Sequence, residues 1–465
     1  MLTLSTSAHR RDCAGLPRRD LIRAGALGVG GLTLPWLLQA RAAATGAPDF
    51  VRDRAVVLLF LAGGASHIET FNPNMDAPDP YRSATGEVKT SLTGVTFGGT
   101  FPELAKLAHE MVVVRSFRHT INDHVRAINH VLTGSTDTTG MATQGFSIGG
   151  AATRLRGAHH PRTGLPTYAL LTAPHKDGQY AKELERVVTG SRGGSLGQTF
   201  APFVPGGNGP AALNLRLNLP AGRLNDRRAL LRQLEGLRRA TEPLDPAQDL
   251  SPFEAQAMEL LTGTAARAFD LAGEDPKLVE RYDTSMMQIG KKVFQPSVLG
   301  RQMLMARRLV EAGAGFVTVQ SAGWDMHADG NNPGIVAGMQ MLGPTVDRAL
   351  SVLLADLKDR GLLEKTLVIV TGDFGRTPGI NKNGGRDHWA RLSTLALCGG
   401  GLRGGQVIGM SDAKNGEPAT DPVGPSHLLG TVLHTLFDLT KVRLARGLPA
   451  ELLRQVEQSR PIPGV

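Results

Sequence analysis

The sequence predicts an α/β protein with a doubly wound, mostly parallel sheet and helices on both faces. Three observations carry this expectation. Short continuous apolar runs read as strands buried on both sides, among them Ala55–Ala62, Met111–Arg115, Tyr168–Thr172, Gly315–Gln320 and Leu367–Val370. Amphipathic helical stretches alternate with them, as crossovers between parallel strands require. Clusters rich in His, Asp and Arg follow the strands, where an open α/β sheet presents its ligand crevice.

The 465 residues suffice for one large α/β domain or two ordinary ones. Apolar residues make up 41%, aromatics 5%, and there are 57 glycines, so the chain is globular and loop-rich rather than disordered or fibrous. Of the net charge of +9, six arginines against two aspartates place +4 in the first 44 residues. The +5 that remains is mild, and no basic stripe interleaves with aromatics, so nucleic-acid binding is not supported.

Residues 1–44 are expected to be a signal peptide. Pro17–Arg23 (PRRDLIR) is a twin-arginine pattern, Ala24–Leu38 is weakly apolar, and Ala42–Ala44 fits a signal-peptidase site. The competing reading, a membrane anchor, meets an apolar run shorter than the roughly 20 residues a span needs. No other stretch is long and apolar enough, so no stable membrane span is expected. The implied location is periplasmic or secreted, with the twin-arginine export machinery as a partner. Without Cys13 the remaining chain holds only Cys398, which excludes an internal disulfide; in LSTLALC it reads as a small buried hydrophobe. Residues 45–465 read as a single domain, with a loop-rich and helical insertion around 185–295.

In chain order, Ala55–Ala62 runs into Gly63-Gly64, a tight turn, and then His67 and Glu69, which share a direction if the backbone is extended. Residues 72–100 read as surface loop with a short hairpin, and Phe101–Glu110 as a short helix. After Met111–Arg115, Asn122 or Asp123 caps a helix ending near Thr133-Gly134, with His124 and Arg126 in its first turn. Such a helix start favours an anion, although a plain cap with a solvated arginine fits the same residues. Gly190–Gly209 reads as a lobe over the crevice, followed by helices at Asp226–Ala240, Pro252–Ala272 and Ser297–Ala312. Gly315–Gln320 ends in Trp324-Asp325-Met326-His327, where Asp325 and His327 share a face. A long helix over Met341–Arg360 leads to Leu367–Val370 and Asp373. After a Gly/Asn/Lys loop containing Arg376 come Asp387 and His388, the apolar run Ser393–Cys398, and a final helix over Ser426–Leu439. Each pair alone is compatible with an ordinary turn, but five polar clusters at strand junctions point to one site. Carboxylate and imidazole ligands suit a divalent ion: zinc, manganese, magnesium or calcium.

The segments GGASHIETF, DHVRAINHVLTG, RRLVEAGAGFVTVQSAGWDMH and GDFGRTPGINKNGGRDHW resemble the bacterial "domain of unknown function 1501" family, from about Arg54 to the SRPIP tail. That family is similar to the alkaline phosphatase/sulfatase superfamily, which implies a site for one or two metals at the carboxyl edge of the sheet. The resemblance implies Asp325, His327, Asp373, Asp387 and His388 as metal ligands, with His67 and Glu69 near the first-strand ligand. It implies a small-molecule or glycan-linked phosphate or sulfate ester as substrate, with Arg376 or Arg126 as the anion fork. The nucleophile is the departure. Where the superfamily has Ser, Thr or Cys, counting back from Gly134 reaches His124. Three roles stay open: general base or metal ligand for water activated at the metal, nucleophile through a phosphohistidine, or a fold that has lost ester chemistry and only binds.

Overall fold

Ala55–Leu61 (β1) is apolar at all seven positions and buried at all seven, so it has no face to give to water and takes the middle of a sheet. The structure, a computed structural model, describes residues 48–142, 144–161, 163–173, 178–205, 265–291 and 295–465. The expected signal segment and the helix at Asp226–Ala240 lie outside the described residues. So do most of the helix at Pro252–Ala272 and the last residues of the Gly190–Gly209 stretch.

Six further strands join β1: Met111–Val114 (β2), Tyr168–Leu171 (β3), Phe316–Ser321 (β4), Thr366–Gly372 (β5), Leu395–Gly399 (β6) and Gln406–Ile408 (β7). Their order is β7-β2-β6-β5-β1-β4-β3. Only β6 runs against the rest, pairing antiparallel with β2 and β5. The sheet is therefore mixed and mostly parallel. This reversal matters for the site, because the end of β5 and the beginning of β6 meet at the same edge.

Alternation along the strands splits the core in two. Val57, Leu59, Val368 and Val370 pack on one face with Leu299–Glu311 and the long helix Ile335–Asp359. Val56, Leu58, Phe60, Leu367 and Ile369 pack on the other, against the helices His124–Leu132, Ile148–Arg156 and Pro425–Leu436. The region Phe50–Val465 forms one unit. No helix among the described residues is long and apolar enough to cross a membrane. Cys398 is buried in β6, and burial pushes its thiol up to about 12, as befits a small hydrophobe.

Several boundaries differ from expectation for physical reasons. The helix expected at Met341–Arg360 begins at Ile335 and carries Pro344 inside it, a residue that hides an early start because it forfeits one helical hydrogen bond. The helix expected at Phe101–Glu110 is a single turn, Pro102–Lys106, followed by a 3-10 turn. Ile148–Arg156 has two glycines in its first turn and gives little sequence signal. Gly149 is there because a Cβ would strike the Tyr168 ring.

Candidate metal centre

The centre is built on the turn that follows β1. Gly63 and Gly64 hold φ of 108° and 78°, and a Cβ on Gly63 would run into the backbone of Trp324 and Asp325. Their N–H groups donate to Asp373 Oδ1 at 3.1 and 2.6 Å. Asp373, at the end of β5, is fully buried, and its other oxygen contacts His124 Nδ1. Asp373 thus stands behind the His124 ring with both of its oxygens engaged.

His124 opens its helix after Asp123, whose side chain accepts from Arg126 N–H as the cap. With Nδ1 engaged, Nε2 points at Asp325 Oδ2, 3.4 Å away, and makes no hydrogen bond. Burial opposes a charge on this ring, but the Asp373 and Asp325 carboxylates outweigh it and push the imidazole up to about 9. A field that draws a proton to Nε2 draws any cation there.

His388 arrives from the opposite side. Its Nδ1 must donate to the Asn122 carbonyl, 2.8 Å away, which leaves Nε2 as the ring nitrogen turned to the centre. That Nε2 stands 3.5 Å from Asp325 Oδ1 and is likewise without a hydrogen-bond partner. The rings of His124 and His388 lie edge to face at 4.3 Å, and the buried Phe374 ring contacts both, at 4.7 and 4.5 Å. One ligand atom each from His124, Asp325 and His388 lies within 4.8 Å of the other two.

Asp325 is the hub. His327 Nε2 approaches its Oδ1 at 3.0 Å and Arg376 donates to it at 2.5 Å. Burial raises its pKa, but His124, His327, His388 and Arg376 together hold the carboxyl well below the usual range. His327 sits between two carboxylates, with Nδ1 2.9 Å from the half-exposed Asp387. The bond to Asp325 raises its pKa although burial opposes it, so both ring nitrogens of His327 are engaged by neighbouring side chains.

The other expected residues are placed differently. The anion fork expected of Arg376 is not available: it is fully buried, and it donates to the carbonyls of Gly63, Gly64, Trp324 and Arg386 and to Asp325. Arg126 is exposed and donates to the Thr139 carbonyl at 2.9 Å, on the rim. Glu69 is buried in an ion pair with Arg386 at 2.9 Å, so its charge is neutralised away from the cluster. His67 bonds the Asn415 carbonyl at 3.0 Å, and burial pushes its imidazole down to about 4. Residues 63–71 form turns rather than an extended run, which is why neither follows the direction expected of it.

Sequence reasoning missed Glu183, within the helix Gly178–Gly190. This carboxyl is buried, accepts from the Gly323 N–H at 3.0 Å next to the Asp325 turn, and is pushed up to about 8 by burial. Nothing in GQYAKELERVVTG marks it out, because its partner lies 140 residues away.

The fold and the site together define an α/β protein with a His/Asp cluster at the carboxyl edge of its sheet. Residues 53–462 match the family described as "Protein of unknown function (DUF1501)", and the chain belongs to that family. A comparison with curated protein sequences finds no match. Among solved structures, the chain is similar to the lipoteichoic acid synthase LtaP from Listeria monocytogenes (11% identity, TM-score 0.37, covering 84% of this chain and 74% of that one). It is also similar to the phosphonate monoester hydrolase SpPMH from Silicibacter pomeroyi (11%, 0.34, 82% and 73%) and the PsFucS1 sulfatase from Pseudoalteromonas sp. (15%, 0.35, 78% and 66%).

Proposed function

We propose that this protein is a metal-dependent, hydrolase-like protein acting on a phosphate or sulfate ester, small or glycan-linked, with the ion held by His124, Asp325 and His388. One observation carries the reading: two buried imidazole nitrogens without hydrogen-bond partners converge with a carboxylate within 4.8 Å. A buried nitrogen left unpaired costs about 1–3 kcal/mol, and coordination removes that cost. The N2O donor set suits zinc first and manganese next. A divalent ion there supplies Lewis-acid polarisation of an ester oxygen.

The chain's own residues supply the rest. Asp373 fixes the His124 ring so that Nε2 faces inward, and the Asn122 carbonyl does the same for His388. Of the three roles open to His124, the ligand role fits this orientation best. His327, held between Asp325 and Asp387, presents an imidazole beside the substrate's anionic group. Phe374 forms an apolar floor that keeps water from one side.

A second reading is favoured by Arg376. Its donors are spent inside the protein, leaving no buried guanidinium at the centre, among the described residues, to grip an ester. On that reading the centre binds a metal or an anion without turnover. Export through the twin-arginine machinery to the periplasm or beyond belongs to both readings and rests on Pro17–Arg23 and Ala42–Ala44.

Elemental analysis of the purified protein tests the metal, and aryl phosphate and aryl sulfate turnover tests the chemistry. The expected result is about one ion per chain with turnover that Asp325→Ala abolishes. A metal-free protein sinks both readings; bound metal with no turnover across an ester panel selects the second.

A further inference from the structure

The opposite edge of the sheet holds a cavity of about 500 Å³, at the starts of β1, β4 and β5, bordered by Ala55, Ala314 and Thr366. Seven residues of β1 separate it from the candidate metal centre by about 20 Å at 3.3 Å per residue. We infer that this cavity is a second ligand site, for a small molecule bearing a phosphate or carboxylate group, gripped by Arg54 and Arg156.

The charges that line it do not balance. Asp53 is paired with Lys365 at 2.5 Å, and Glu311 is held by Arg307 and Arg360 at 2.6 and 3.2 Å. Among the described residues Arg156 makes one hydrogen bond, from Nη1 to the Arg54 carbonyl, which leaves its other donors without a partner there. Neither Arg54 nor Arg156 has an ion pair among the described residues. The helix Leu299–Glu311 ends at the cavity, but the carbonyls of Arg308, Leu309 and Val310 are taken up by the N–H groups of Ala312, Ala314 and Gly313. Its negative end is therefore capped, and the excess charge is that of the two guanidiniums, of which Arg156 also feels the Asp53 carboxylate that Lys365 binds. Burial also lowers the pKa of Arg156, and the charge of Asp53, already paired with Lys365, offsets this only in part.

The position of Arg54 is built as well. Its guanidinium lies against Gly401, where φ is +79° and a Cβ would collide with it. Planar guanidiniums recognise carboxylate and phosphate in bidentate fashion, and 500 Å³ suits a metabolite-sized ligand.

Calorimetric titration of the full chain, as purified, with inorganic phosphate and separately with citrate at low ionic strength tests the inference. Saturable binding of at least one is expected, and the tighter of the two names the class. The Arg54→Gln/Arg156→Gln double variant should weaken it at least tenfold, whereas His388→Ala at the far edge should leave it unchanged. Should the double variant fail to fold, Arg54→Gln alone and Gly401→Ala, which displaces Arg54 without changing its charge, are each expected to weaken binding severalfold. Absence of saturable binding by both probes, binding that survives these variants, or binding lost in His388→Ala overturns the inference.

Discussion

Two clusters of charge in this molecule are built on opposite plans. Between the helices Leu299–Glu311 and Ile335–Asp359, Arg307 is sealed from solvent and spends its guanidinium on Glu274, Glu311 and Asp356. Asp356 is satisfied in turn by Tyr282 and Arg360. At the carboxyl edge, His124 and His388 are oriented just as firmly from behind, yet each aims an unpartnered nitrogen at Asp325. A cluster that only holds helices together saturates itself. One meant to receive something from solution keeps donors or acceptors unspent and uses a second row of residues to point them.

The comparison breaks most decisively at Asp325. Asp325→Ala removes the oxygen ligand and the anion that draws the two imidazoles together, so metal affinity should fall by at least about 100-fold. Isothermal titration with Zn²⁺ reads this directly, and an unchanged affinity would place the ion elsewhere. Arg307→Met is the counterpart at the saturated cluster. It removes the buried guanidinium that Glu274 and Asp356 share and leaves them only Arg308 and Arg360, for an expected loss of about 3 kcal/mol in urea unfolding. Metal per folded chain should not change. If Arg307→Met lowers metal content in the folded fraction, the two clusters are coupled and the contrast fails.

Asp373→Asn sharpens the same contrast with a smaller effect. The amide still accepts from Gly63 and Gly64, but it orients His124 less strongly, so metal affinity should drop about 10–100-fold with little change in stability. A change in stability without a change in affinity would make Asp373 purely structural.

The strands, and the segments that carry the candidate ligands, were legible in the sequence because both obey local rules. Continuous apolar runs mark buried parallel strands, and Asp325, Asp373 and His388 lie where those strands end or where the reversed β6 begins. What escaped was set by partners far along the chain. Glu69 looks like a ligand until Arg386, 317 residues on, turns it into half of a buried ion pair. Arg376 looks like an anion fork until the carbonyls of Gly63 and Gly64 claim its donors. A sequence lists donors and acceptors without saying which are already spent, and that difference separates a structural polar residue from a functional one.

His67 gives the smallest effect, and it lies outside both plans: Nε2 is bound to the Asn415 carbonyl while the buried Nδ1 has no hydrogen-bond partner. Burial, reinforced by the Arg386 charge and opposed by the Asn415 carbonyl, sets its folded pKa at about 4 against an ordinary 6.5. The fold therefore favours the neutral ring. Its contribution is full above pH 6.5 and is lost as the pH falls towards 4, because the unfolded chain takes up the proton first. Between pH 7 and pH 5 that loss is about 2 kcal/mol. In His67→Gln the slope of urea-unfolding free energy against pH over this interval should flatten by that amount. An unaltered slope would mean that the folded protein does not hold the ring neutral, and burial would then not govern His67.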